Sequence, residues 1–147
     1  MELPFKSEIP DRYTQYGRNI SPKIEFKHVP EEAETLVLIF ENIDAPPSIS
    51  VHWIIWNIPA DKGLLPEAVV RDGRPEIVEG AIQGNNDFEV LGYQGPKTFP
   101  GEEKYLFTLY ALDTKLNLSS GEKKEQIIEA MRGNVVDKTQ EERGYTS

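Results

Sequence analysis

Two stretches, TLVLIFEN (Thr35–Asn42) and VHWIIWNI (Val51–Ile58), limit what this chain can become. Each has the length of a strand, is rich in branched and aromatic residues, and is apolar at odd and even positions alike. A strand exposed on one face alternates; a strand covered on both faces does not. The chain must therefore bury two neighbouring strands between covering layers. Pro59 ends the second run, and NIDAPPS (residues 42–48) separates the two with Asp and Pro, which favour a turn.

Two further runs read as strands: SPKIEF, with Ile24 and Phe26 alternating, and YLFTLYALD (Tyr105–Asp113). Shorter pieces around Ala81–Gln83 and near the C-terminus read as edge strands. One segment is helical by pattern, Ser119–Arg132. Ser119 and Glu122 have the spacing of a capping box, Gly133 sits where a left-handed cap belongs, and Ile127, Ile128 and Met131 form the apolar stripe. There is no internal repeat, and Pro and Gly punctuate the chain throughout. The expectation is one all-β domain over residues 1–147, an antiparallel β-sandwich with one or two peripheral helices.

The 147 residues carry a net charge of −9 and no cysteine. Acidity of this size repels phosphate backbones, which argues against nucleic acid as a partner. Lack of cysteine excludes disulfides, a thiol nucleophile and thiolate metal sites. No stretch approaches the ~20 apolar residues of a membrane-spanning helix, and MELPFKSEIPDRY has no basic segment followed by an apolar run. The expectation is a cytoplasmic protein without a transmembrane segment.

Chemistry is sparse. There are two histidines. His28, in the polar stretch FKHVPEEAE, reads as an exposed loop residue. His52 lies inside an apolar strand; strict alternation places it with Ile54, Trp56 and Ile58, opposite Val51, Trp53, Ile55 and Asn57. A buried imidazole needs a hydrogen-bond partner. Asp44, in the preceding turn, is one carboxylate in reach, and its charge would raise the histidine pKa. No nucleophile elbow, H-x-x-x-H spacing or phosphate-binding glycine loop is present. The chain therefore reads as a non-enzyme without metal or cofactor. The stretch NNDFEVLGYQGPKTFPGEEKY (residues 85–105) is a long loop rich in Gly, Pro and aromatics, a composition that points to function rather than disorder.

The order of these pieces, NIDAPPS, HWIIWNIP, GNNDF, GYQGP, PGEEKYLFTLYALD, AMRGNVV and a terminal GY, resembles the phosphatidylethanolamine-binding protein family, in its short prokaryotic, Raf-kinase-inhibitor-like branch. The resemblance runs from about Ile20 to Tyr145. It implies a β-sandwich with a small anion-binding pocket for phosphate or phosphorylated groups. The family pattern D-P-D-A-P corresponds to residues 42–46, with Asn42 in place of the first aspartate and Asp44 as the second. His52 matches the strand histidine, and Gly95 with Pro96 the G-P turn. G-x-H-R-Y corresponds to Gly101–Tyr105, with Glu103 replacing histidine and Lys104 replacing arginine. Asn134 replaces the histidine that follows the helix in this branch.

The resemblance thus implies a pocket lined by Asn42, Asp44, His52, Gly95, Pro96, Glu103 and Tyr105, with Asn134 nearby. His52 is its polar anchor, oriented by Asp44 or Glu103, and the Gly95–Pro96 backbone points at the ligand. The leading reading is a non-enzymatic protein binding a small anion or phospholipid headgroup through an altered pocket. The alternative is a protease or kinase inhibitor acting through a rigid loop at FENIDAPPSIS or TFPGEEKY. A third, an acid–base enzyme using His52 and Glu103, has no nucleophile, metal set or cofactor loop behind it. A homodimer is a further family expectation.

Overall fold

The computed structural model describes residues 1–44, 49–97 and 101–146. The strands are β1 (Ile24–Glu25), β2 (Thr35–Asn42), β3 (Ser50–Pro59), β4 (Leu64–Leu65), β5 (Ile82–Gln83), β6 (Glu102–Leu112) and β7 (Val135–Thr146). One helix, α1 (Lys124–Met131), lies between β6 and β7, and a 3-10 turn spans Asp11–Tyr13. Five strands form an antiparallel sheet in the order β5-β3-β2-β6-β7. β1 and β4 make a separate antiparallel pair.

The doubly apolar runs behave as their composition requires. β2 is buried along its whole length and sits between β3 and β6. On one face, Phe40, Trp53, Ile55, Tyr105 and Phe107 pack against Ile24 of β1, Leu65 of β4 and the N-terminal Leu3, Phe5 and Tyr13. On the other, Val37, Ile39, Ile54 and Trp56 pack against Ile127 and Met131 of α1. This is the expected antiparallel β-sandwich architecture, with the helix on its periphery.

Alternation along β3 fails at two bulges. The register jumps between Ile58↔Leu36 and Ile55↔Leu38, and again between Trp53↔Phe40 and Val51↔Glu41, each inserting one residue in β3. A bulge turns the residues beyond it onto the opposite face. Ile58 therefore joins Trp53 and Ile55, whereas Val51 joins Ile54 and Trp56. His52 follows Trp53 onto the aromatic face, against Phe40 and Tyr105. The partition expected from strict alternation is corrected at each of these positions. Asn57, in the bulge between Ile55 and Ile58, is left-handed at φ 56° and exchanges hydrogen bonds of 2.9 and 2.8 Å with the Leu116 backbone.

The helix starts later than its pattern predicts. Gly121 is left-handed at φ 89°, so Ser119–Gly121 cannot be its first turn. Lys123 is the N-cap residue, and its N–H donates to the Gln126 side chain at 3.1 Å. Gly133, at φ 80°, occupies the left-handed position expected after the helix. No helix among the described residues is long and apolar enough to cross a membrane.

Candidate functional site

The bulge between Val51 and Trp53 presents His52 at the end of the sheet where β2 finishes and β6 begins. The stretch from Asn85 to Gln94 runs along this end of β3 and holds it. Gln94 donates its N–H to the His52 carbonyl at 3.0 Å, and Asp87 donates its N–H to the Val51 carbonyl at 2.9 Å. Asp87 Oδ2 accepts the Val51 N–H at 2.7 Å. Asn86 is fully buried and saturated: Nδ2 reaches the His52 and Gly92 carbonyls at 3.3 and 3.0 Å, and Oδ1 accepts the N–H groups of Phe88 and Val90 at 2.9 and 3.1 Å. The loop thus acts as a clamp on the histidine strand.

The His52 ring is 2 % exposed. Its Nδ1 lies 2.7 Å from the Gln94 carbonyl oxygen. A carbonyl only accepts, so Nδ1 carries the proton and Nε2 of the neutral ring is an acceptor. Phe88 and Tyr105 meet the ring edge-on at 4.7 and 5.3 Å, and Phe40 lies tilted at 5.6 Å. Burial holds the imidazole pKa down at about 4, against the opposing pull of the Gln94 and Gly95 carbonyls and the Asp87 charge. At neutral pH His52 is uncharged. The sequence-based expectation was the reverse, a pKa raised by Asp44 or Glu103. The structure corrects it, because desolvation outweighs any nearby carboxylate and the orienting group is a backbone carbonyl.

Tyr105 stands opposite Asn42 in the β2–β6 ladder. Its hydroxyl is buried without a hydrogen-bond partner among the described residues. The Asn42 side chain and the Lys97 backbone N–H are near it but outside hydrogen-bond geometry. Burial, reinforced by the Glu103 charge, pushes the phenol pKa up, so it remains a neutral O–H. Asn42 Nδ2 instead donates to Glu103 Oε2 at 3.0 Å, while Asn42 Oδ1 accepts the Asp44 N–H at 2.7 Å. Asp44 Oδ2 accepts the Lys104 N–H at 2.9 Å. Asn42, Asp44, His52, Glu103 and Tyr105 therefore come together around one end of the sheet. Among the described residues no cluster of three His, Asp or Glu side chains could hold a metal ion.

The family profile described as phosphatidylethanolamine-binding protein matches residues 3–145. The chain belongs to the phosphatidylethanolamine-binding protein family. A UPF0098 protein of Methanothermobacter thermautotrophicus is 47 % identical over 131 residues, covering 89 % of this chain and 85 % of that protein. The crystal structure of a phosphatidylethanolamine-binding protein homologue from Chlamydia trachomatis matches with a TM-score of 0.87 at 33 % identity, over 97 % of this chain and 92 % of that one. The crystal structure of Escherichia coli YbcL, described as a new member of the mammalian PEBP family, matches with a TM-score of 0.89 at 27 % identity, over 99 % of this chain and 94 % of that one.

Two features expected of the family pocket differ here. Asn134 precedes β7 beside Asp113, whose N–H it accepts at 3.0 Å. Leu112 and Tyr105 are seven residues apart on β6, so Asn134 lies roughly 23 Å from the His52–Tyr105 pair. It is not part of this site. The one backbone N–H of the Gly95–Pro96 pair is also engaged within the protein. The Gly95 N–H donates to Asn19 Oδ1 at 2.7 Å, and its carbonyl accepts Gln15 Nε2 at 3.0 Å. The Pro96 carbonyl accepts the Gln15 N–H at 3.0 Å. A Cβ on Gly95 would stand 2.1 Å from the Tyr13 carbonyl oxygen, so this glycine serves a close approach of two backbone segments. The GP turn braces the N-terminal segment.

Gln94, Asn86, Asp87 and Phe88 were missed as site residues from sequence. The available signal was the polar run NND just before Phe88, since Asn and Asp bond nearby backbone in turns. Residues 45–48 and 98–100, part of each of the two loops expected to act as inhibitory segments, lie outside the described residues.

Proposed function

We propose that the chain is a non-catalytic, cytoplasmic binding protein whose His52–Tyr105 site takes a small polar headgroup, with phosphate disfavoured. The observation that carries this reading is the Tyr105 hydroxyl. Buried polar groups are nearly always bonded, and one left open beside a buried acceptor needs an explanation. A ligand oxygen accepting from Tyr105 and a ligand hydroxyl or ammonium donating to His52 Nε2 supplies one. Family membership supports the headgroup class. The Glu103 carboxylate, fixed by Asn42, supports the altered preference: an anion entering beside it meets a like charge in a partly desolvated place.

The test is an NMR titration with ethanolamine, a headgroup fragment that carries a hydroxyl and an ammonium and no phosphate. Saturable shifts at the His52 and Tyr105 rings, lost in Tyr105→Phe, are the expected result. Shifts spread over the surface, or unchanged in that variant, would remove the site from consideration. The Glu103 and Asp44 carboxylates, bonded by Asn42 and by the Lys104 N–H, support a binding rather than a catalytic role.

A further inference from the structure

As it stands the site is shut. His52 is 2 % exposed, Tyr105 is fully buried, and so is the Tyr105 hydroxyl. A headgroup reaches neither polar side chain unless a neighbouring group moves. Among the described residues three rings pack on the imidazole: Phe40, Tyr105 and Phe88.

Two of the three are fixed by the core. Phe40 is fully buried, stacked on Phe107 at 4.3 Å and on Tyr93 at 5.7 Å. Tyr105 lies within the sheet, opposite Asn42 of β2 on one side and Arg143 of β7 on the other. Moving either ring opens the core. Phe88 is 42 % exposed, and among the described residues the one ring it meets is that of His52, edge-on at 4.7 Å. A half-exposed aromatic changes between staggered side-chain wells quickly and without repacking the interior.

The backbone beneath that ring is held. Asn86 Oδ1 accepts the Phe88 and Val90 N–H groups at 2.9 and 3.1 Å, and the Asn86 N–H donates to the Val90 carbonyl at 3.0 Å. Asp87 is tied to Val51 through both its N–H and its carboxylate. Glu89, left-handed at φ 58°, accepts Lys123 Nζ at 2.8 Å. The turn is fixed and the ring on it is free on one side.

We propose that Phe88 is the gate of the His52–Tyr105 site, opening by rotation of its side chain while the turn at residues 86–90 stays in place. Open, the ring uncovers the imidazole, whose Nδ1 remains bonded to the Gln94 carbonyl. Closed, it covers His52 and keeps water off it. An edge-on ring contact favours the closed rotamer by a factor of about ten at most, so the site is covered most of the time without being locked. Phe88 thus sets how fast a ligand enters and leaves, and supplies no polar contact itself. The proposal rests on the headgroup reading for what passes the gate, and not for the motion.

The chain has two histidines, and the other, His28, is exposed, so an imidazole-acylating reagent reads His52 against an internal reference. Diethyl pyrocarbonate acylates a neutral ring nitrogen, and mass spectrometry of the full-length chain resolves the two sites. In the native protein at pH 7, His52 should react much more slowly than His28. Phe88→Ala should speed His52 about tenfold and leave His28 unchanged. Phe88→Tyr keeps the ring and should behave as the native protein. The Asp87 and Val90 amide signals should stay in place in Phe88→Ala, which separates a swung ring from a loosened turn. With ethanolamine as ligand, Phe88→Ala should raise the association and dissociation rates together. His52 as slow in Phe88→Ala as in the native protein, or fast only where the Asp87 and Val90 amides also move, would overturn the proposal. The reagent needs no ligand: ethanolamine that binds none of these proteins would remove the headgroup reading, while His52 acylation alone would still decide for or against the gate.

Discussion

Asn42 and Glu103 hold each other across the β2–β6 ladder, with Asn42 Nδ2 donating to Glu103 Oε2 at 3.0 Å. These are two positions where the chain departs from its family pattern, and the departures meet. The amide that faces the Tyr105 phenol is turned to the carboxylate, and the carboxylate is kept at the site. One bond thus leaves the Tyr105 hydroxyl open and fixes a negative charge beside it.

His52 should make the protein acid-sensitive in a defined window. Its folded pKa of about 4 lies below the unfolded 6.5, so the unfolded chain takes up the proton first. The contribution is fully present above pH 6.5, is lost as pH falls toward 4, and is constant below that. The loss is about 3 kcal/mol. Urea unfolding of the native protein and of His52→Gln across this range isolates it from the carboxylates. Equal pH dependence in the two proteins would show that His52 is not held neutral.

The source of the histidine's electrostatics can be separated by two variants. Asp87→Asn should lower the His52 pKa further, since the Asp87 charge opposes the effect of burial. Glu103→Gln should leave the titration in place, because burial, the Gln94 and Gly95 backbone and the Asp87 charge, and not Glu103, set the His52 pKa. NMR titration of the ring protons reads both. A downward shift in Glu103→Gln comparable to that in Asp87→Asn would restore the direct His52–Glu103 pairing that the structure replaces.

Asn86 should matter more than any charged residue of its loop. Asn86→Ala leaves the His52 and Gly92 carbonyls and the Phe88 and Val90 N–H groups short of a partner, and should cost roughly 3 kcal/mol. The same variant should broaden the His52 ring signals, since the clamp on β3 is loosened. Chemical denaturation together with the NMR line shapes checks this. A loss below about 1 kcal/mol would mean the loop is held by Asp87 and Gln94 alone.

What the sequence makes legible is what its local pattern determines. Thr35–Asn42 and Val51–Ile58 are doubly apolar and became the buried strands β2 and β3. Their class needed no knowledge of neighbours. The faces of β3 were not legible, because a bulge is a property of two strands in register, and its only local trace is Asn57 at positive φ. β7 is the longest strand yet reads as a short polar edge, since a strand with one open side and few buried residues carries little hydrophobic signal. Asn42, Asp44, His52, Glu103 and Tyr105, which the family correspondence groups, come together at one end of the sheet. The correspondence failed for Asn134, and for the Gly95 backbone, whose partners Asn19 and Gln15 lie some seventy-five to eighty residues away in sequence. The His52 pKa was misjudged for the same reason: burial by Phe40, Phe88 and Tyr105 is assembled from three separate segments.

The measurement closest to the central claim is calorimetry of inorganic phosphate and phosphoethanolamine with the native protein, Glu103→Gln and Glu103→His. At pH 7 the native protein should bind phosphate weakly or not at all. Glu103→Gln removes the like charge while keeping an acceptor for Asn42, and should improve phosphate affinity about tenfold. Glu103→His should gain further as pH falls below about 6.5, where an unperturbed imidazole is protonated. Tight phosphate binding by the native protein, unchanged by either substitution, would contradict the account, because the Glu103 charge would then have no part in what the site accepts.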